Sequence, residues 1–206
     1  MSEPGDTGAL HSALGTELFV LQSAASSTIS EAGTRSTIYL ATLSGGLVAL
    51  GFAGSSPSLL AVMTFTVLPT IFMLGWFTVV RLVDTSVESI TARHRMARIR
   101  AYFASLHPLG PTLIAQDDPR TNGELGVRYA RSSFLFTMAS MVGAVNSVVG
   151  GALVTLVLTI GLGLRTLPAT LFGIAAGLVL LLATLRYERR RIASVNSGAT
   201  DASQSR

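Results

Sequence analysis

The chain has no cysteine and no lysine, and forty-five consecutive residues, from Ser36 to Val80, contain no Asp, Glu or Arg. The missing cysteines exclude disulfides, thiolate metal sites and thiol nucleophiles. Residues 132–164 and 166–185 are likewise free of acidic and basic side chains other than histidine, and they contain no histidine either. A soluble domain is about one quarter charged and has no need of such stretches. A bilayer core does need them, because a charge at its centre costs ~2.5–3.5 kcal/mol even on the mildest scale. No Asp, Glu, Lys, Arg or His remains inside these stretches for proton relay, voltage sensing or hydrolysis within the membrane. No P-loop, dinucleotide fingerprint, Ser/His/Asp set or HExxH occurs. The reading is therefore non-enzymatic, with no cofactor, no metal site and no identifiable small-molecule substrate. The N-terminus has Glu3 and Asp6 but no basic region, which is unlike a secretory signal.

What is present is an all-α integral membrane protein with four transmembrane helices arranged as two hairpins. An N-terminal amphipathic helix precedes them, and the second span has a long cytoplasmic extension. Residues 36–80 are too long for one crossing at 1.5 Å per residue. Gly54-Ser55-Ser56-Pro57-Ser58 is turn composition, so span one is Ser36–Ala53 and span two Ser58–Val80. Span three is Ser132–Ile160. A turn at Gly161–Thr166 follows, with Pro168 in the first turn of span four, which ends near Leu185. The resulting organisation is an N-tail (1–35), hairpin one (36–80), a stalk and loop (81–131), hairpin two (132–186) and a basic, disordered C-tail (187–206).

All fifteen basic residues are arginine: one in the N-tail, eight in residues 81–131, five from Arg186 onward, and Arg165 alone at a hairpin tip. The positive-inside bias places both termini and residues 81–131 in the cytoplasm. An arginine-only, Ala/Gly/Val/Leu-rich composition points to a GC-rich bacterial genome, hence to the plasma membrane of a bacterium. Tyr39, Trp76 and Tyr187 fall near the cytoplasmic span ends, as an interfacial aromatic belt expects.

Lipid provides no hydrophobic drive for helix association, so small residues that allow close backbone approach mark the packing faces. They recur every four residues as Ala41, Gly45, Ala49 and Ala53, as Ala139, Gly143, Ser147 and Gly151, and as Ala169, Gly173 and Gly177. Pairing within one chain and pairing between chains are both open. Asn146 is the most polar side chain deep in a span and needs a partner. Ser140, Ser147, Thr42, Ser44 and Thr70 are candidates, and structural glue and a pore-lining role are both open. Pro69 removes a donor from span two and is read as a kink, tolerated or hinge-like.

Outside the spans, Ser58–Leu106 reads as one helix that His107-Pro108-Leu109-Gly110-Pro111 terminates. Its cytoplasmic half has two apolar arcs, Val83/Val87/Ile90/His94/Ala97 and Met96/Ile99/Phe103/Leu106. Leu10, Leu14, Leu18, Leu21, Ala25 and Ile29 form one stripe of an amphipathic helix over about 9–32. That helix has no Lys or Arg before Arg35, so it is expected to dock on the basic stalk rather than lie on anionic lipid. Arg186, Arg189, Arg190 and Arg191 are placed as contacts to anionic lipid, and nucleic acid has no motif to bind. Asp117-Asp118-Pro119 is a turn, and Thr121–Glu124 a capping box ahead of span three.

Arg98-Ile99-Arg100-Ala101-Tyr102-Phe103, after a helical hairpin that an amphipathic helix precedes, resembles uncharacterised small multi-pass bacterial membrane proteins. Over residues 9–106 the architecture also loosely resembles SLATT-type membrane effectors of nucleotide-signalling defence systems. That resemblance implies two spans flanked by cytoplasmic helices, and pore formation; the second hairpin departs from it. The leading expectation is a protein that acts by helix–helix assembly. Its partners would be membrane lipids and a second copy or another membrane protein. A pore or channel, of the defence-effector kind, is the alternative.

Overall fold

The computed structural model describes residues 4–114 and 138–204, with side-chain surroundings for 7–112, 114 and 138–193. Asp117-Asp118-Pro119, the Thr121–Glu124 box and the start of span three at Ser132 lie outside the described residues. Every regular element among the described residues is helical. The elements are α1 (Pro4–Ala53), α2 (Pro57–Ser105), the short α3 (Gly110–Leu113), α4 (Met138–Leu156) with a π-helical turn (Val157–Gly161), and α5 (Thr166–Gln204). Four helices, Thr7–Ala53, Pro57–Ser105, Met138–Gly161 and Thr166–Ala193, are long and apolar enough to cross a membrane.

The punctuation follows the sequence. α1 stops at Ala53, where the amides of Gly54 and Ser56 donate to the carbonyls of Gly51 and Ala53 at 3.3 and 3.0 Å. Pro57 then opens α2, where its missing N–H costs nothing. Pro69 stays inside α2. α2 ends ahead of His107-Pro108, where the ring Nδ1 of His107 accepts from the Leu109 amide at 3.1 Å and its carbonyl accepts from the Gly110 amide at 2.8 Å. Gly163 turns the chain toward α5 with φ +62°, a left-handed conformation that favours glycine. The amphipathic segment and span one form a single helix, α1, because no proline separates them and the lone Gly33 is tolerated inside a helix. α5 runs on to Gln204, where composition predicts a disordered tail. Extending a formed helix fixes one residue per new hydrogen bond and avoids the nucleation cost.

The described residues form two compact units, one holding 4–31 and 85–114, the other 32–84 and 138–204. In the first, Leu21 and Ala25 of α1 pack on Ala92 and Met96 of α2, with Leu18 and Ile99 at the margin. His11 Nε2 lies 3.2 Å from the Tyr102 hydroxyl, and its ring is tilted against Tyr102 and Phe103. The two helices therefore run antiparallel. Only the middle of the predicted leucine stripe is covered, since Leu10 and Ile29 at its ends stay exposed. Of the two stalk arcs, the one with Met96 and Ile99 meets α1.

In the second unit, Tyr39 and Leu43 of α1, Leu68, Ile71, Val79, Leu82 and Val83 of α2, and Ala139, Val142 and Val149 of α4 form one buried cluster. α5 packs along α4.

Candidate functional site

Two features of the second unit hold its chemistry: a buried polar junction and a seam of small residues.

The junction centres on Asn146, which is 3 % exposed. Its Oδ1 accepts a hydrogen bond from the Tyr39 hydroxyl at 3.2 Å. Gly75 of α2 faces the pair closely. A Cβ there would overlap Asn146 Oδ1 and lie 2.7 Å from Tyr39 Cε2. Three helices thus meet through one amide, one phenol and one missing side chain. None of the partners expected for Asn146 supplies this bond. Tyr39, assigned to an interfacial belt, is instead fully buried, because its ring reaches inward far enough to satisfy the amide. Sequence inspection missed Gly75, whose signal, a lone glycine ahead of Trp76, is shared by many unremarkable positions. Trp76 remains 40 % exposed.

The seam joins α4 and α5. A Cβ on Gly151 would come within 2.7 Å of the Gly173 carbonyl oxygen, and one on Gly173 within 2.5 Å of the Gly151 carbonyl oxygen. Gly177 lies over the Ser147 carbonyl, with 3.1 Å left for a Cβ. Gly143 fits against Thr184, and Ala139 and Ala169 are buried. The small residues of spans three and four thus pack on each other within the chain, and several of them also line a groove beside the seam. Along the seam runs an open, apolar groove of about 360 Å³ lined by Ala144, Ser147, Gly151, Gly173, Gly177 and Leu181 among others.

Span one differs. Ala41, Gly45 and Ala49 are exposed, and a Cβ on Gly45 would meet nothing within 4 Å. Its packed face carries Tyr39, Leu43, Gly46 and Ala53 instead, with Gly46 against Ile71 and Val67.

The hydroxyls look inward on their own helices. Thr42, Thr66, Thr70, Thr78, Ser147, Thr155, Thr159, Thr170 and Thr184 each donate to the carbonyl four residues earlier at 2.7–3.1 Å. Thr64 is an exception, fully buried with no partner for its Oγ1 among the described residues.

Of the four arginines after span four, Arg186, Arg189 and Arg190 are exposed. Arg191 donates to Asp84 Oδ1 at 3.0 Å, a half-exposed ion pair between α5 and α2 worth ~0–1 kcal/mol. Glu188, 1 % exposed among these arginines, was not singled out from sequence. Its signal was its isolation as the one acid in a basic run.

No protein-family model matches the chain, and no curated protein or solved structure does either.

Proposed function

We propose that this chain is a non-enzymatic, multi-pass protein of the bacterial inner membrane that acts by assembling through its helices. Its two hairpins cross the bilayer, and both termini and residues 81–131 face the cytoplasm, where the arginines concentrate.

The observation that carries the reading is the face of α1 bearing Ala41, Gly45 and Ala49. In α4 and α5 such small residues pack on each other inside the chain; in α1 they are exposed. A membrane helix that presents small residues to lipid offers another helix close backbone approach, which lipid tails cannot exploit as well. Assembly is favoured over a pore formed inside one chain. The unit's interior is filled by Leu68, Ile71, Val79, Val142 and Val149, and most hydroxyls of the spans are engaged by their own helices rather than turned toward a polar path.

The test is copy number. Counting subunits by single-molecule photobleaching in lipid bilayers is expected to give more than one copy. Gly45→Leu is expected to reduce the count to one without unfolding the chain, because the space at Gly45 is open. A wild-type chain that is strictly monomeric in bilayers sinks the proposal.

A further inference from the structure

We propose that the groove beside the α4–α5 seam is a docking site for a second copy of this chain, which lays the Ala41, Gly45 and Ala49 face of its α1 along it. The inference rests on the assembly reading above and names the surface that receives the open face of α1.

The groove follows from the sequence of two helices. Gly151, Gly173 and Gly177 let the backbones of α4 and α5 approach, and beside them lies a trough of about 360 Å³ lined by Val148, Ile174 and Leu178 among others. These three side chains stay more than half exposed. The wall makes no polar demand. The hydroxyls of Ser147 and Thr155 donate to the carbonyls of Gly143 and Gly151 at 2.7 and 3.1 Å, so the groove calls for an apolar occupant.

The chain's own first span does not fill it. Asn146 meets Tyr39 of α1 on one side of α4. Ala144, Val148 and Thr155 of the groove lie roughly 160–200° round the helix from Asn146, at about 100° per residue. The groove therefore faces away from α1 of the same chain, and an α1 lying in it belongs to another copy.

The two surfaces match in depth. In the proposed orientation, Arg35 and Arg186 mark the cytoplasmic ends of spans one and four. Ala41, Gly45 and Ala49 follow Arg35 by 6, 10 and 14 residues, and the α5 wall from Leu181 to Gly173 precedes Arg186 by 5 to 13. At about 1.5 Å per residue, both surfaces lie ~8–21 Å from those arginines. Copies side by side in one membrane present them at the same level. They also match in shape. A Cβ on Gly45 would meet nothing within 4 Å, so the face of α1 is a hollow that admits the exposed side chains of the groove wall. An acyl chain must be ordered to fill the trough, whereas a helix is ordered already, and closing two uneven faces on each other releases lipid. Because the two faces differ, the contact is heterologous.

The chain has no cysteine, so two singly substituted full-length chains can be co-expressed and oxidised in native membranes. Gly45→Cys with Ile174→Cys is expected to give the mixed disulfide at least about fivefold more than Gly45→Cys with Ala175→Cys. Ala175 is exposed at nearly the same depth but lies about 160° round α5 from Gly177. Adding Ala152→Trp to the Ile174→Cys chain fills the trough at an exposed position. It is expected to cut the mixed yield at least about fivefold with circular dichroism unchanged, and an unchanged yield overturns the inference. If Gly45→Cys pairs only with itself, α1 faces α1; the inference falls and assembly stands. No disulfide from any pair, with more than one copy counted in bilayers, also overturns the inference, since a lipid chain or another partner then fills the groove. A count of one copy overturns assembly and the inference together.

Discussion

At the scale of single residues, the Tyr39–Asn146 bond and the glycine facing it set the register of three helices. An amide buried in apolar surroundings must find a partner, and measured interhelical hydrogen bonds in membranes average ~0.6 kcal/mol with a maximum near 1.7. Tyr39→Phe is therefore expected to lower stability by about 0.6–1.7 kcal/mol. Gly75→Ala, which forces a methyl into the Asn146 amide and the Tyr39 ring, is expected to cost about 1–3 kcal/mol. Unfolding in mixed micelles measures both. A double-mutant cycle of Tyr39→Phe with Asn146→Ala should be non-additive; strict additivity would show that the bond contributes nothing. The importance of Asn146 was legible in the sequence, since it is an amide in an uncharged stretch. Its partner was not legible. Tyr39 looks like any tyrosine near a span end, and only the packed arrangement turns it inward.

At the scale of helices, the four long apolar helices could be read because exclusion of charge is a property of position along the chain. Pro57 opening α2 and His107-Pro108 closing it needed no knowledge of neighbours. Which face a helix packs with depends on what lies beside it, and the sequence does not say. Three stripes of small residues looked equivalent. Those of α4 and α5 are closed on each other, while Ala41, Gly45 and Ala49 of α1 are open. The same limit applied to the leucines of α1, where Leu21 is covered and Leu10 is not. The difference is measurable. Gly151→Ala and Gly173→Ala each push a methyl into a facing backbone carbonyl, and each is expected to lose about 1–3 kcal/mol. Gly51→Ala, with open space around it, is expected to change stability by less than about 0.5 kcal/mol. Equal losses at all three positions would rule out a backbone-to-backbone seam.

At the scale of the whole molecule, the proposed orientation rests on fourteen of fifteen arginines falling in the N-tail, in residues 81–131 and from Arg186 onward. A cysteine at Ser56 or at Thr166 is expected to react with a membrane-impermeant thiol reagent applied from outside intact cells, and one at Ser197 is not. The reverse labelling pattern would invert the proposed topology.

The threonine and serine hydroxyls that bond their own helices have a consequence for how the protein is made. A helix whose polar side chains are already satisfied by its own backbone can enter lipid alone, with no neighbour waiting. Most polar groups of these spans need no later rescue, whereas the Asn146 amide does. Insertion and assembly can thus be separate events during biosynthesis. The meeting of Asn146 with Tyr39, one hundred and seven residues apart, cannot occur until synthesis has passed Asn146, well into the second half of the chain.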